Sequence, residues 1–399
     1  MSIAYFDLRL SSIKRFPFWI HREINKIKPN QKFIYLYEQE DIDPQKIDLN
    51  GLDFKLIKIK KITKNEITNI FIKNNIEKLI VFAQRIPDTF LVSIANTQGL
   101  ITIMYQHGLY IPFMRREMSL FYKNFFKAMR YVKYAYHTGR INKISGIKLI
   151  FKYINVWVFG KNRESQKIVH KNMNTRFVLN WGEYWMKYHK EQYGYSYKQQ
   201  YVVGNPDFEN LDKETISSEK VKNNTLCFIT QTLVEDGRLS KDKYLDFILN
   251  LSKFVNKYEI NLYVRLHPRS DRALYEKLPD NTVFSHSDFP SCNIYLGHYS
   301  SLIAKTIFYS NNLILIDFPG HEIPEYIAEF GSIRLDYDNL DSLNFTVGSM
   351  LEKGVNKEEV KKNISKQDYF FDSNFVSPNM QAAKTILKLS SNSTLQRTK

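Results

Sequence analysis

Apolar residues in the first half of the chain fall in short runs separated by helix-length segments. Phe33–Gln39 (FIYLYEQ), Phe54–Ile59 (FKLIKI), Lys78–Gln84 (KLIVFAQ) and Leu100–Gly108 (LITIMYQHG) each read as a buried strand. Ile154–Gly160 (INVWVFG), Thr175–Gly182 (TRFVLNWG) and Tyr201–Pro206 (YVVGNP) read as further strands, the first two running into glycine. Residues 207–224, DFENLDKETISSEKVKNN, are polar and aperiodic, which predicts a linker. After them the pattern restarts: strand Thr225–Thr232, amphipathic helix Tyr244–Tyr258, strand Ile260–Pro268, strand–turn–helix over Cys292–Tyr309, and strand Leu313–Pro319. The expected fold is α/β, with two Rossmann-like domains facing a central cleft. The first domain spans 1–206, the linker 207–224, the second domain 225–385, and a flexible Ser/Thr-rich tail 386–399.

The bulk numbers agree with this layout. A chain of 399 residues exceeds one ordinary core, and 43% hydrophobic with 25% charged residues is the balance of a packed protein. Cys227 and Cys292 lie in apolar strands and read as small core residues in a reducing compartment. The start, MSIAYFDLRLSSIKRF, lacks an uninterrupted apolar core, and no run approaches membrane-spanning length. A cytoplasmic protein is expected.

A net charge of +16 favours anionic partners. From Phe121 to Tyr153 aromatics alternate with Lys and Arg, including Lys123, Lys127, Arg130 and Lys133, and no acid interrupts them. That mixture suits the face of an anionic membrane and predicts peripheral association through 121–153, with a helical hairpin turning its rings to the core as the alternative. No helix-turn-helix, zinc or RNP-type motif points to nucleic acid.

Ligands of open parallel sheets bind at the carboxyl ends of the strands. Three segments of the second half sit there. Glu235-Asp236-Gly237 is an acidic turn, and one of its carboxylates can accept a proton from an attacking hydroxyl. His267-Pro268 ends a strand between Arg265 and Arg269, and the proline holds the histidine out of the helical region. Gly297-His298-Tyr299-Ser300-Ser301 precedes an apolar helical pattern, where N–H groups and hydroxyls would bind phosphate. In the first half Gln106-His107-Gly108 ends a strand on the acceptor side. No P-loop, GxGxxG, HExxH, CxxC pair or GxSxG is present. The DxD patterns, Asp41-Ile42-Asp43 and Asp336-Tyr337-Asp338, lie in turn-like surroundings away from these segments, which favours transfer without a metal or other cofactor.

The ordered set Glu235-Asp236-Gly237, His267-Pro268 and Ser300-Ser301 resembles the D/E-D/E-G, H-P and S-S/T motifs of bacterial sialyltransferases, over roughly residues 225–325. The resemblance implies a GT-B enzyme of capsule or lipooligosaccharide synthesis. It would move a nonulosonic acid from a CMP-activated donor to a glycan acceptor, with inversion and without metal. Glu235 or Asp236 would be the base, His267 would meet the CMP phosphate, and Pro268, Arg269, Gly237, Gly297, Ser300 and Ser301 would shape the donor site. Glu322 and Glu325 would contact the ribose. The competing readings are a transferase using CMP-Kdo or a CDP-polyol, and a basic, non-catalytic membrane-surface protein.

Overall fold

The computed structural model describes residues 2–49, 51–109, 125–159, 171–209, 221–286, 290–300, 302–318, 323–329, 333–336, 340–372, 374 and 377–390. The chain forms two compact units: residues 1–108, 123–209 and 369–399 make the first, and 109–122 with 210–368 make the second.

The first unit carries a seven-stranded sheet ordered β3-β2-β1-β4-β5-β6-β7, with every pair parallel. Its strands are β1 Ser2–Phe6, β2 Lys32–Tyr37, β3 Phe54–Lys58, β4 Ile76–Val81, β5 Ile101–Tyr105, β6 Phe177–Asn180 and β7 Gln200–Val202. β1, β5 and β6 are buried along their whole length, which is why parallel strands appear in sequence as unbroken apolar runs. β1 is central to the sheet yet was not expected from the sequence; its five residues end abruptly at Asp7.

The run 154–160 is a correction. Residues up to Phe159 belong to the helix Gly146–Phe159, which follows the helix Phe125–Ile141. A short β-branched run has the same apolar content in a helix as in a strand, and here it continues helical spacing begun upstream. These two helices form the hairpin that was the alternative reading of 121–153. Its inner face, Tyr134, Ala135 and Leu149, joins the core of the first unit.

The second unit carries a six-stranded parallel sheet ordered β10-β9-β8-β11-β12-β13. Its strands are β8 Lys222–Ile229, β9 Asn261–Arg265, β10 Val283–Ser285, β11 Cys292–Gly297, β12 Asn312–Asp317 and β13 Ile333–Asp336. The helix Lys241–Lys257 is capped by Ser240, whose hydroxyl accepts from the Lys243 N–H. It buries Phe247, Ile248, Leu251 and Val255 at helical spacing. Cys227 and Cys292 are buried free thiols.

Both sheets have the order that reverses direction once, between β1 and β4 in the first and between β8 and β11 in the second. That reversal opens a crevice at the carboxyl edge, where ligands of such sheets bind.

The ends of the chain depart from the expected boundaries. Residues 222–224 of the expected linker already belong to β8, and Asp207 pairs with Arg15 at 3.2 Å. The helix Pro378–Lys388 packs in the first unit, and it includes the opening residues of the expected tail. The buried Lys78 ammonium on β4 explains this return: it donates to the carbonyls of Ile386 (2.7 Å), Leu387 (3.4 Å) and Leu389 (2.9 Å). Those carbonyls close the helix and have no helical partner of their own, so a cation there satisfies them and complements the dipole. Residues 391–399 lie outside the described residues.

Candidate active site

At the switch point of the second sheet, β8 leads into a tight turn. Asp236 N donates to Thr232 O and Gly237 N to Val234 O, at 3.0 and 2.9 Å. Gly237 takes φ +63°, a left-handed conformation that a side chain would strain. The turn lifts two neighbouring carboxylates into different surroundings. Asp236 is half-buried and is held by Arg269, at 2.8 Å to Oδ1 and 3.2 Å to Oδ2, while the Thr232 hydroxyl donates to Oδ2 at 2.9 Å. Burial raises the pKa of Asp236, but the bonds and charge of Arg269, the Thr232 hydroxyl and the Arg238 charge outweigh it and hold the carboxyl below its ordinary range. Glu235 is exposed, and its Oε1 accepts the Asp271 N–H at 2.7 Å.

His267 follows β9, the strand beside β8. Its N–H donates to the Thr230 hydroxyl at 3.0 Å, and its Nδ1 accepts the Arg269 N–H at 3.1 Å. An Nδ1 that accepts leaves the ring proton on Nε2, so the neutral imidazole presents a donor there. Pro268 and Arg269 continue the turn, which the Ser270 N–H closes on His267 O at 2.9 Å. The acidic turn and the His-Pro turn, 31 residues apart from Asp236 to His267 in sequence, are therefore one hydrogen-bonded assembly through Arg269, Thr230 and Thr232.

β11 brings a third segment to the same edge, but not as an extended helix N-terminus. The helix after it is a single turn, Ile303–Thr306, and Ser300 Oγ accepts the Leu302 N–H at 3.2 Å as an ordinary turn cap. A helix this short adds little dipole, so the expected phosphate site rests on the loop groups alone. Gly297 ends β11 beside β8 and β12, and a side chain there would meet its neighbours only at ordinary contact distance. His298 is buried and donates from Nδ1 to Ile316 O at 2.7 Å, which ties β11 to β12. Tyr299 accepts from Arg238, which joins this loop to the acidic turn. Ser301 and Glu322 lie outside the described residues, and Glu325 opens the helix Glu325–Ala328.

In the first unit, Gln106, expected on the acceptor side, is fully buried. Its Oε1 accepts the Trp181 N–H at 2.9 Å and its Nε2 donates to Gly108 O at 3.2 Å, so it clips β5 to the loop after β6. His107 keeps an exposed edge and packs edge-on to Phe16, 5.2 Å between ring centres. Beside it lies a group that sequence reasoning missed. Asp7 follows β1 and Arg85 follows β4, and they pair at 3.3 Å across the switch point; Arg85 also holds the buried Asp88 at 2.6 Å. Arg85 stands directly after the expected strand Lys78–Gln84, but Asp7 carried no such signal, because β1 was not expected. Thr230 and Arg238 were missed as well, because their weight comes from partners distant in sequence. The Asp41-Ile42-Asp43 carboxylates have local partners: Asp41 accepts from Ser11 N–H and hydroxyl at 2.9 and 2.6 Å, and Asp43 caps Gln45 N–H.

With this geometry in place, the chain can be set beside known proteins. The family model of the alpha-2,8-polysialyltransferases matches residues 14–288. The chain belongs to the alpha-2,8-polysialyltransferase family. The matched span includes the acidic turn and His267-Pro268 and stops before the serine pair. Among solved structures, the chain is similar to the calicheamicin glycosyltransferase CalG4, with TM-score 0.56, 10% identity, and coverage of 97% of this chain and 98% of that one. It is likewise similar to the glycotransferase of kitacinnamycin, with TM-score 0.53, 10% identity, and 97% and 98% coverage. A third is a UDP-N-acetylglucosamine 2-epimerase from Listeria monocytogenes, with TM-score 0.52, 11% identity, and 100% and 97% coverage. At these identities the likeness establishes the GT-B fold alone. No curated protein matches the sequence. Sugar donor and glycan acceptor follow from the family. Among the described residues no helix is long and apolar enough to cross a membrane.

Proposed function

We propose that this chain transfers a nonulosonic acid from a CMP-activated donor to a hydroxyl of a capsular or lipopolysaccharide glycan, with inversion and without a metal ion. The observation that carries the proposal is the unequal environment of the two adjacent carboxylates. Asp236 is bound by Arg269 and kept ionised, which makes it a poor proton acceptor; Glu235 is exposed and makes one backbone contact. Glu235 is therefore the base, and Asp236 is the residue that positions Arg269.

In the reaction the acceptor oxygen attacks the anomeric carbon and its proton passes to Glu235. The bond from that carbon to the phosphate oxygen breaks, and CMP departs with the electron pair. The Nε2–H of His267 donates to the departing phosphate, and Arg269 offsets its charge. The donor is a substrate. No resident cofactor takes part in this scheme. On this reading the chain works on the cytoplasmic face, where nucleotide-activated sugars are available, and His107 with the Asp7–Arg85 pair is the proposed acceptor-side group.

A donor panel tests the proposal. Purified chain with a sialylated oligosaccharide should release CMP from CMP-activated nonulosonates in the presence of EDTA. Turnover confined to CMP-Kdo or CDP-glycerol would reject the nonulosonate donor and favour the capsule or teichoic reading.

A further inference from the structure

The switch point of the second sheet lies between β8 and β11, and one side chain spans it. Arg238 follows the left-handed Gly237 at the end of the acidic turn, and its backbone N–H donates to Leu233 O at 2.7 Å. That bond fixes the direction in which the side chain leaves the turn. The guanidinium then donates to the hydroxyl of Tyr299, a residue 5% exposed on the loop after β11.

The same guanidinium shares a carboxylate with Arg269. Its Nη2 lies 3.9 Å from Asp236 Oδ2, the oxygen that Arg269 Nη2 approaches at 3.2 Å and the Thr232 hydroxyl at 2.9 Å. Two guanidiniums, delivered by the loops after β8 and β9, therefore converge on one oxygen. Within this triad positive charge outnumbers negative. The arginine side chains are 32% and 42% exposed against 22% for the carboxylate, so a ligand at this edge meets the cations before the anion. Like charges held this close favour a further anion between them. The neighbouring Glu235 is engaged elsewhere, by the Asp271 N–H at 2.7 Å.

The chemistry of the donor says what that anion is. A nonulosonic acid carries its carboxylate and its phosphate on the same anomeric carbon, so two anionic groups enter the site side by side. An aldose or polyol donor brings phosphate alone. His267 and Arg269 serve the phosphate, and Arg238, held by a neutral hydroxyl, is the second cation, with a planar fork that matches a carboxylate.

We propose that Arg238 binds the carboxylate of the donor sugar and sets the preference of this site for ulosonic donors, with Tyr299 positioning the guanidinium. The proposal rests on the nonulosonate reading of the donor. Equilibrium binding to the full chain without acceptor tests it, with three probes: CMP, CMP-N-acetylneuraminic acid, and the methyl ester of that acid, whose carboxyl is neutral.

Wild type should bind the acid about tenfold or more tighter than the ester. Arg238→Gln should lower affinity for the acid about tenfold or more, bind CMP as wild type does, and no longer distinguish acid from ester. Arg238→Lys should recover part of the preference, because it keeps the charge and loses the fork. Tyr299→Phe should weaken the preference in the same direction. Equal losses for CMP and for the acid in Arg238→Gln would move Arg238 to the phosphate and overturn the proposal. So would wild-type protein that binds CMP yet treats acid and ester alike, a result that leaves the CMP donor standing. Wild-type protein that binds none of the three probes would overturn the donor reading and this proposal together.

Discussion

The guanidinium of Arg269 holds both carboxylate oxygens of Asp236, across two loops that follow neighbouring strands. This pair gives the two neighbouring carboxylates different surroundings: Asp236 is held by a guanidinium, and Glu235 is exposed. Arg269→Ala should raise the pKa of Asp236 toward its ordinary range. A depressed carboxyl pKa contributes stability that is present above the unfolded-state value and is lost as pH falls through the folded-state value. Wild type and Arg269→Ala should therefore differ in urea midpoint near neutral pH and converge in acid; a difference that grows in acid would contradict the pairing.

Glu235→Gln should lower kcat about 100-fold or more with little change in KM for the donor, as removal of a general base does. Asp236→Asn should act differently. It weakens the hold on Arg269, so donor KM should rise along with any loss in kcat. Steady-state kinetics on the two variants separates these roles, and equal profiles would merge them.

Thr230 joins the strand end of β8 to His267. Thr230→Val keeps the shape of a buried side chain and removes the acceptor of the His267 N–H, at a cost of about 1–3 kcal/mol. Its kcat should fall while the wild-type far-UV spectrum is retained. Restoration by Thr230→Ser would show that the hydroxyl, and not the methyl, orients the imidazole.

Two structural variants probe the frame. Gly139→Ala places a methyl group into the backbone of Gly146 and should destabilise the first unit by about 1–3 kcal/mol, read from its urea midpoint. Lys78→Met leaves three carbonyls at the end of the helix Pro378–Lys388 without their donor. It should cost a similar amount, about 1–3 kcal/mol, and speed proteolysis of that helix.

β8, β9, β11 and β12 were legible because each stands where an apolar run does, bounded by polar or glycine residues. Local pattern failed where local content was ambiguous. The stretch 154–160 has strand-like composition and is helical up to Phe159, and β1 is only five residues long. The C-terminal helix was placed in the wrong unit because its anchor, Lys78, is more than 300 residues away. At the proposed site, motif order singled out Glu235, Asp236 and His267, but the hold of Arg269 on Asp236 reaches across from the next strand and is not visible in local sequence. The helix after the serine segment is one turn long, shorter than its apolar pattern suggested.

The central claim is transfer through Glu235 from a CMP-activated nonulosonate. The most direct measurement follows one reaction by mass and NMR: purified wild type and Glu235→Gln, each with CMP-N-acetylneuraminic acid, a sialylated acceptor and EDTA. The account predicts that wild type lengthens the acceptor by one residue per CMP released, with inverted anomeric configuration, and that Glu235→Gln does so at least about 100-fold more slowly. Full activity in Glu235→Gln, retained configuration, or CMP release without acceptor extension would contradict it.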